Sequence, residues 1–211
     1  QKLIEESPSL ALSCEQRQKI GEIAIKAAKD VGYVGVGTLE FLYENGEFFF
    51  MEMNTRLQVE HGVSEDLTGI DIVKEQIRVA AGERLSFTQS DVRFSGHVIE
   101  FRINAEDSNT FLPSPGKIEE LFFPGGNGIR VDSHIYRDYI IPPFYDSLIA
   151  KLIVRAYDRA DCLTKAKCAL DELVIDGVST TAELYKKLIR NADIIRGDFG
   201  IHWLEENMEK L

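Results

Sequence analysis

The sequence predicts an α+β fold, in which helices pack with mainly antiparallel strands in a chain of 211 residues. Three observations carry this prediction. Residues 13–31 have the apolar spacing of a helix, and two strand-like runs flank the dipeptide Asn45-Gly46, which favours a hairpin. Residues 96–104 alternate between apolar and polar side chains, as expected of a strand with one solvated face. With 44% hydrophobic residues, the chain can form one large domain or two small ones.

Two helices are predicted in the first half of the chain. Ser13 and Gln16 fit a capping box at the start of the first helix, and Gly32 is a stop signal beyond its end. The apolar stripe of this helix consists of Ile20, Ile23, Ala24, Ala27 and Val31. The second helix is predicted over residues 71–81, ending at Gly82, and its expected buried residues are Ile70, Val73 and Ile77.

A polar, turn-rich segment at residues 83–94 predicts a boundary between two domains, residues 1–93 and residues 94–211. Beyond the strand at residues 96–104, short strands are predicted over residues 117–123, 129–133 and 148–156. Helices are predicted over residues 159–173, 181–191 and 201–208.

Composition excludes several classes of function. The net charge of -11 disfavours nucleic acid or an anionic membrane as the main partner, because both bind concentrated Lys and Arg. No apolar run reaches the length of about 18 residues that a membrane span needs. The three cysteines are an odd number without a CxxC pair, which predicts reduced thiols and a cytoplasmic location.

The hairpin carries an unusual row of polar residues. If the backbone stays extended, alternation places one set on a single side: Glu52, Asn54, Arg56, Gln58 and Glu60. A two-residue loop would place Glu40 opposite Met51, whereas a three-residue loop over residues 45–47 would place Glu40 opposite Glu52 and Thr38 opposite Asn54. We predict the three-residue loop, with Gly46 or Glu47 in a left-handed conformation.

The reason for this choice is chemical. Two opposed carboxylates repel each other on a sheet, but a divalent cation between them would offset the repulsion. Two Glu residues and an Asn supply the hard oxygen ligands that suit Mg2+ or Mn2+, with ATP phosphates completing the coordination. A solvated strand face, on which alternating Glu and Asn are ordinary, is the alternative interpretation.

Residues 52–61, with the sequence EMNTRLQVEH, resemble the signature of the biotin carboxylases, a family of ATP-grasp ligases. Further matching segments follow the same order along the chain: GTLEF at 37–41, FRINAED at 101–107, FLPSPG at 111–116, PPFYDS at 142–147 and LVIDG at 173–177. The resemblance implies the C-terminal part of an ATP-grasp domain, an antiparallel sheet with helices, in residues 1–93. It implies the C-terminal α+β domain of the family in residues 94–211.

The resemblance also implies roles for matched positions on the ATP side of the reaction. Glu40 and Glu52 would bind two Mg2+ or Mn2+ ions that bridge the ATP phosphates, with Asn54 as a further ligand. Leu42 and Ile201 match apolar contacts to the adenine ring.

For the carbon substrates, the resemblance assigns bicarbonate binding to Lys2, Arg56, Gln58 and the backbone of Val59. Glu60 would be the general base that deprotonates bicarbonate. Arg102 would hold the ureido oxygen of biotin as that oxygen gains negative charge. Arg56, Glu60 and Arg102 are therefore the expected catalytic residues.

The implied function is carboxylation of biotin on its carrier protein, driven by ATP and bicarbonate through carboxyphosphate. This is the first half-reaction of acetyl-CoA carboxylase in fatty acid synthesis, and the expected partners are the carrier protein, carboxyltransferase subunits and a second copy of the full-length chain. Pyruvate or propionyl-CoA carboxylase, another ATP-grasp ligase, and a non-catalytic contact domain are the alternatives. The resemblance places about 230 residues ahead of this chain, including most of the nucleotide site, so the chain alone is not expected to catalyse.

Some positions depart from the family pattern or have ordinary alternatives. Gly62 stands where the family usually has proline and Ser64 where it has threonine, so the exit from the signature is expected to be more flexible. Asn127 replaces a bulkier residue near Arg130, which matches a position in the family's dimer interface. By residue pattern alone, Lys2 is an ordinary surface lysine and Arg102 an ordinary partner for Glu100 or Glu106.

Overall fold

The computed structural model describes residues 2–211. Its strands are β1 (Ile4–Ser7), β2 (Thr38–Glu44), β3 (Glu47–Asn54), β4 (His97–Asn104), β5 (Gly116–Lys117), β6 (Leu121–Phe122), β7 (Ile129–Ser133), β8 (Ile140–Ile141), β9 (Leu148–Ala156) and β10 (Val174–Ile175). Its α-helices are α1 (Cys14–Asp30), α2 (His61–Thr68), α3 (Ile72–Ala80), α4 (Arg159–Glu172), α5 (Ala182–Leu188), α6 (Ala192–Arg196) and α7 (Trp203–Asn207). Single 3-10 turns lie at Gln89–Asp91 and Met208–Lys210. The mixture confirms the predicted α+β class.

These elements form two compact units. Residues 8–94 make the hairpin unit, and residues 95–211 together with residues 2–7 make the sheet unit. Strand β1 thus belongs with the second half of the chain. The division into domains 1–93 and 94–211 stays a prediction about the family's domain organisation.

Helix α1 of the hairpin unit begins where its capping signal predicts. Ser13 Oγ accepts a hydrogen bond from the Gln16 backbone at 3.2 Å, and the Gln16 side chain accepts one from the Ser13 backbone at 2.9 Å. The helix buries none of its residues, and Ile23 and Val31 of the predicted apolar stripe are exposed. The capping box therefore predicted the position of the helix, but the stripe did not predict a buried face.

The loop between β2 and β3 contradicts the three-residue prediction. It contains only Asn45 and Gly46, because Glu44 pairs with Glu47. Both loop residues have positive φ, 51° and 87°, as a tight type I′ turn requires. An Asn-Gly dipeptide populates this conformation readily, so the local turn chemistry determined the loop length.

In the rest of the hairpin unit, one helix was missed and one predicted buried face was wrong. Helix α2 occupies residues 61–68, which contain no predicted helix. The predicted buried face of α3 is also wrong, because Ile77 is 65% exposed while Glu75 is buried. The position of α3 is confirmed, since the side chain of Asp71 caps it by accepting a hydrogen bond from the Lys74 backbone at 2.8 Å.

The sheet unit is built on a four-stranded antiparallel sheet in the order β1-β4-β9-β7. One face of this sheet contributes Phe101 and Leu152 to a core that also includes Leu170 of α4 and Tyr185 of α5. The rings of Phe101 and Tyr185 lie 5.4 Å apart between centroids. The core fixes β4, and β4 carries Arg102.

The opposite face of β4 is not solvated, contrary to prediction. Glu100 has no exposed surface. Lys151 on β9, on the same face of the sheet, is only 8% exposed. Alternation correctly assigned Ile99, Phe101 and Ile103 to the core. It could not show that the polar side of the strand would also be covered.

Most other elements of the sheet unit fall close to their predicted positions. Strands β7 and β9 have the predicted bounds, and α4 begins at Arg159 as predicted. The region 117–123 splits into β5 and β6, and the helix predicted over 181–191 ends at Leu188, after which Asn191 caps α6. Within residues 2–211, no helix combines the length and apolar character needed to cross a membrane.

Candidate functional site

Glu40 and Glu52 are directly opposite each other on β2 and β3, and Thr38 is opposite Asn54. These predicted pairings are confirmed, but a β-bulge produces them and not a three-residue loop. The ladder shifts between Glu40 and Phe41, because Phe41 pairs with Phe50 and leaves Met51 as the extra residue of a β-bulge. The bulge brings both carboxylates to one face despite the two-residue loop.

Side-chain amides join the two carboxylates. Asn54 Nδ2 donates to Glu40 Oε1 at 3.0 Å and to Glu52 Oε1 at 2.8 Å. Gln58 Nε2 donates to the same Glu40 oxygen at 2.7 Å, and Gln58 is only 7% exposed. Four of the predicted site residues therefore form one hydrogen-bonded cluster.

This carboxylate cluster, comprising Glu40, Glu52, Asn54 and Gln58, fits a divalent cation by its donor chemistry. Both carboxylates already converge on a single positively polarised nitrogen, and hard oxygen ligands suit Mg2+ or Mn2+. Rotating the Asn54 amide would present its oxygen as a third ligand. Among residues 2–211, no group of three or more His, Cys, Asp and Glu side chains is arranged to hold a metal ion, so the predicted metal site depends on this amide and on ligands from a substrate.

The polar row was expected to continue along an extended backbone to Glu60, but it does not. After β3 the chain leaves the sheet, and the His61 backbone N–H donates to the Gln58 carbonyl at 3.3 Å, which closes a turn. Glu60 is the N-cap residue of α2, and its carbonyl accepts from the Val63 N–H at 3.3 Å. Arg56 is exposed, while Val59 and Glu60 are partly buried. With Gln58, the structure thus places four predicted residues on the connection between β3 and α2.

The sheet unit holds Arg102 from both its backbone and its side chain. A guanidinium nitrogen, Nη2, lies 3.7 Å from Glu5 Oε1 on β1. The Arg102 carbonyl accepts hydrogen bonds from Tyr185 Oη at 2.5 Å and from Thr181 Oγ1 at 3.0 Å. Its N–H donates to the Leu3 carbonyl at 3.1 Å. Arg102 is therefore anchored by β1 and the residue before it, and by α5 and its N-cap residue.

Lys2, another predicted residue, lies just before β1 and next to a backbone contact of Arg102. Leu3, whose carbonyl accepts from Arg102, directly follows Lys2, and Lys2 has a positive φ of 51°. The backbone of Arg102 is thus bonded to the residue that follows Lys2. Lys2 and Arg102 were each predicted to contact a substrate.

The remaining predicted positions are less constrained. Leu42 on β2 is 47% exposed, and Ile201, in the turn before α7, is 81% exposed. Arg130 on β7 makes two hydrogen bonds to Asp132, at 2.8 and 2.9 Å. Burial would raise the pKa of the Asp132 carboxyl, but the hydrogen bond and charge of Arg130 outweigh it and lower that pKa.

Sequence reasoning missed several residues that support this site. His61 and Glu65 received no role, although their spacing of four residues would have placed them on one face of a helix. Glu5 was missed because its partner Arg102 lies 97 positions away, and no local signal connects them.

Family comparisons match both halves of the chain. A model described as the biotin carboxylase C-terminal domain matches residues 100–206, just over half of the chain. A model described as the ATP-binding domain of the carbamoyl-phosphate synthase L chain matches residues 1–88.

Curated relatives align along almost the whole chain. A biotin carboxylase of Pseudomonas aeruginosa is 52% identical over 208 residues, covering 99% of this chain and 46% of the relative. One of the pyruvate carboxylase subunits of Methanothermobacter thermautotrophicus is 53% identical over 207 residues, covering 98% of this chain and 42% of the relative. The chain thus spans a little under half the length of these relatives.

The fold also matches solved structures. The biotin carboxylase domain of the Hydrogenobacter thermophilus 2-oxoglutarate carboxylase, solved as a dimer with MgADP, ADP and bicarbonate, superposes with a TM-score of 0.96 at 50% identity. The match covers 98% of this chain and 46% of that structure.

Proposed function

Because this chain belongs to the biotin carboxylase C-terminal domain family, we propose that it supplies metal, bicarbonate and biotin residues for the ATP-dependent carboxylation of biotin. The observation that carries the proposal is the opposed pair Glu40 and Glu52, whose carboxylates converge on one nitrogen of Asn54. Such a pair is unfavourable on an ordinary sheet face and favourable around a cation. The solved relative with MgADP and bicarbonate supports the same ligands.

On the ATP side, Glu40, Glu52 and Asn54 would hold two Mg2+ or Mn2+ ions. The bound metal would supply positive charge against the ATP phosphates during phosphoryl transfer. Gln58 keeps the Glu40 carboxylate oriented through its 2.7 Å hydrogen bond. Leu42 and Ile201 would contact the adenine ring, and their exposed side chains suit that role.

On the bicarbonate side, Lys2, Arg56, Gln58 and the Val59 N–H would bind the anion, and Glu60 would take its hydroxyl proton. The resulting carbonate dianion attacks the γ-phosphorus of ATP and releases ADP, so that carboxyphosphate forms. Carboxyphosphate splits into CO2 and phosphate. Glu60 is the N-cap residue of α2, which fixes its backbone at the start of that helix.

On the biotin side, the phosphate would accept the proton from N1 of biotin, and N1 would then attack CO2. The negative charge that develops on the ureido oxygen would be offset by the Arg102 guanidinium. The ion pair with Glu5 and the backbone hydrogen bonds from Tyr185 and Thr181 support this role by fixing Arg102 before the substrate arrives.

The biological setting is part of the same proposal. The acceptor would be biotin on a carrier protein, and carboxyltransferase subunits would pass the carboxyl group to acetyl-CoA in fatty acid synthesis. The full-length protein would act as a cytoplasmic homodimer. Transfer to pyruvate, as the name of the Methanothermobacter relative indicates for that protein, is the competing outcome.

The test uses a fusion of this chain to the part of the Pseudomonas aeruginosa relative that precedes the matched region. ADP release is followed with ATP, Mg2+, bicarbonate and free biotin. We expect release that depends on biotin and falls at least about a hundredfold in Glu60→Gln and Arg102→Ala. Release that depends on bicarbonate but not on biotin would assign the site to another carboxyphosphate-forming ligase.

The metal assignment has its own matched control in the same hairpin. Glu44 and Glu47 form a second opposed glutamate pair next to the loop, and both are exposed. Mn2+ binding in the presence of ADP, measured by electron paramagnetic resonance on the fusion, should weaken about tenfold or more in Glu40→Gln and Glu52→Gln. Equal losses in Glu44→Gln and Glu47→Gln would contradict a specific metal role for Glu40 and Glu52.

A further inference from the structure

We propose that His61 and Glu65 are positioning residues, which hold the turn that carries Gln58, Val59 and Glu60 in the conformation that binds and deprotonates bicarbonate. This inference rests on the proposed function of those three residues. It adds two residues to which the resemblance assigned no role. The geometry that carries it lies within the hairpin unit.

The first link is between His61 and the backbone of Gln58. The ring nitrogen Nδ1 of His61 lies 2.8 Å from the Gln58 carbonyl oxygen, and the His61 backbone N–H donates to the same oxygen at 3.3 Å. A carbonyl oxygen only accepts, so Nδ1 must carry the proton in this arrangement. One residue thus binds the first carbonyl of the turn twice, and Val59 and Glu60 lie inside the loop that these bonds close.

The second link is between His61 and Glu65, one turn later on α2. Glu65 Oε2 lies 3.8 Å from His61 Nε2, and Glu65 Oε1 accepts a hydrogen bond from the Ile72 N–H at 2.9 Å. Ile72 is the first residue of α3, and Glu65 is buried. Because Glu65 is held by the start of α3, it restricts the rotation of the imidazole ring.

The third link joins the turn to the carboxylate cluster. The buried side chain of Gln58 donates to Glu40 Oε1 at 2.7 Å. Its backbone is therefore held by His61 on one side, while its side chain is held by Glu40 on the other. The turn between β3 and α2 has no strand partner, so these contacts from its two ends restrict it.

Gly62 makes the turn depend more on the side-chain contacts of His61 and Glu65. It directly follows His61, and glycine restricts the backbone less than any other residue. A turn that leads into glycine gains order from side-chain contacts rather than from a restricted φ. His61 and Glu65 provide those contacts on the side of the turn nearest to Glu60.

The kinetic test uses the fusion described above. His61→Leu removes both ring nitrogens, His61→Asn retains an amide donor near the position of Nδ1, and His202→Leu is the matched control at an exposed histidine. We expect His61→Leu to raise KM for bicarbonate about tenfold while KM for ATP changes less than about twofold. His61→Asn should recover most of the loss, and Glu65→Gln should raise KM for bicarbonate by about threefold. Unchanged bicarbonate kinetics in a folded His61→Leu protein would overturn the proposal.

A second measurement tests the role of His61 and does not depend on enzyme activity. Nitrogen-15 chemical shifts of the histidine rings in this chain report which ring nitrogen is protonated. The proposal requires His61 to carry its proton on Nδ1, where it faces the Gln58 carbonyl oxygen. An Nε2-protonated or freely averaging His61 ring would overturn the inference even if the fusion is fully active. Conversely, a fusion without biotin-dependent ADP release would reject the proposed function while this measurement still tests the geometry.

Discussion

Arg102 on β4 lies directly opposite Lys151 on β9, so two cationic side chains share one rung of the antiparallel ladder. In the adjoining β1–β4 ladder two carboxylates oppose each other, because Glu5 on β1 pairs with Glu100 on β4. Like charges in direct opposition destabilise a sheet, but the diagonal contacts here are between opposite charges. Glu5 lies 3.7 Å from Arg102, and Glu100 lies 3.9 Å from Lys151. The arrangement balances charge on a face of the sheet that water scarcely reaches.

Lys151→Met is expected to destabilise the chain by about 3 kcal/mol, because it leaves the fully buried Glu100 without this cation. Urea unfolding of the variant measures the loss. The double variant Glu100→Gln/Lys151→Met removes both charges and should regain most of the stability. If the single substitution costs less than about 0.5 kcal/mol, the pair does not stabilise Glu100 in this way.

Gly177→Ala is expected to destabilise the chain by at least about 2 kcal/mol. Gly177 has a φ of +97°, and a Cβ atom there would lie 2.1 Å from the Lys117 carbonyl oxygen. The matched control is Gly21→Ala in α1, where a Cβ would meet no atom within 4 Å. Alanine favours helix by about 0.5–1 kcal/mol over glycine, so the control should be stabilised. Thermal unfolding of both variants compares the two effects, and a neutral Gly177→Ala would contradict the close approach.

The sequence predicted most accurately those elements whose signals are local. Ser13 and Gln16 located the start of α1, and the bounds of β7 and β9 follow from short apolar runs between turns. Strand β1 carries no comparable signal, because its four residues are a strand only through their pairing with β4 more than 90 positions later. Such pairings depend on the whole fold.

The candidate site shows the same division. Alternation placed Glu52 and Asn54 on one side of β3, but the opposition of Glu40 to Glu52 depends on the bulge at Met51. No turn rule predicts that bulge, because the Asn45-Gly46 loop is satisfied without it. No helix was predicted over the residues of α2, and the roles of His61 and Glu65 were missed with it.

Acid should destabilise the sheet unit partly through Glu6. Burial would raise the pKa of the Glu6 carboxyl, but hydrogen bonds from His97 and Arg159 outweigh it and hold the pKa below its usual value of 4.5. A carboxyl with a lowered folded pKa stabilises the fold above its unfolded pKa and loses that contribution as pH falls through the folded one. Glu6→Gln should therefore flatten the decline in urea midpoint below pH 4.5. The matched control is Glu120→Gln, an exposed partner of Arg137, which should leave the decline unchanged.

The three thiols should differ sharply in reactivity. Burial raises the pKa of the Cys162 thiol to about 12, and its Sγ donates to the Val154 carbonyl at 3.1 Å. Cys14 and Cys168 are exposed. Because the thiolate is the reactive form, an aromatic disulfide reagent at neutral pH should modify two thiols of the native chain rapidly and the third only as the sheet unit unfolds. In Cys14→Ser/Cys168→Ser, the rate of modification should rise with urea in parallel with unfolding. Rapid modification of that variant without urea would show that the β9–α4 contact around Cys162 opens in the folded state.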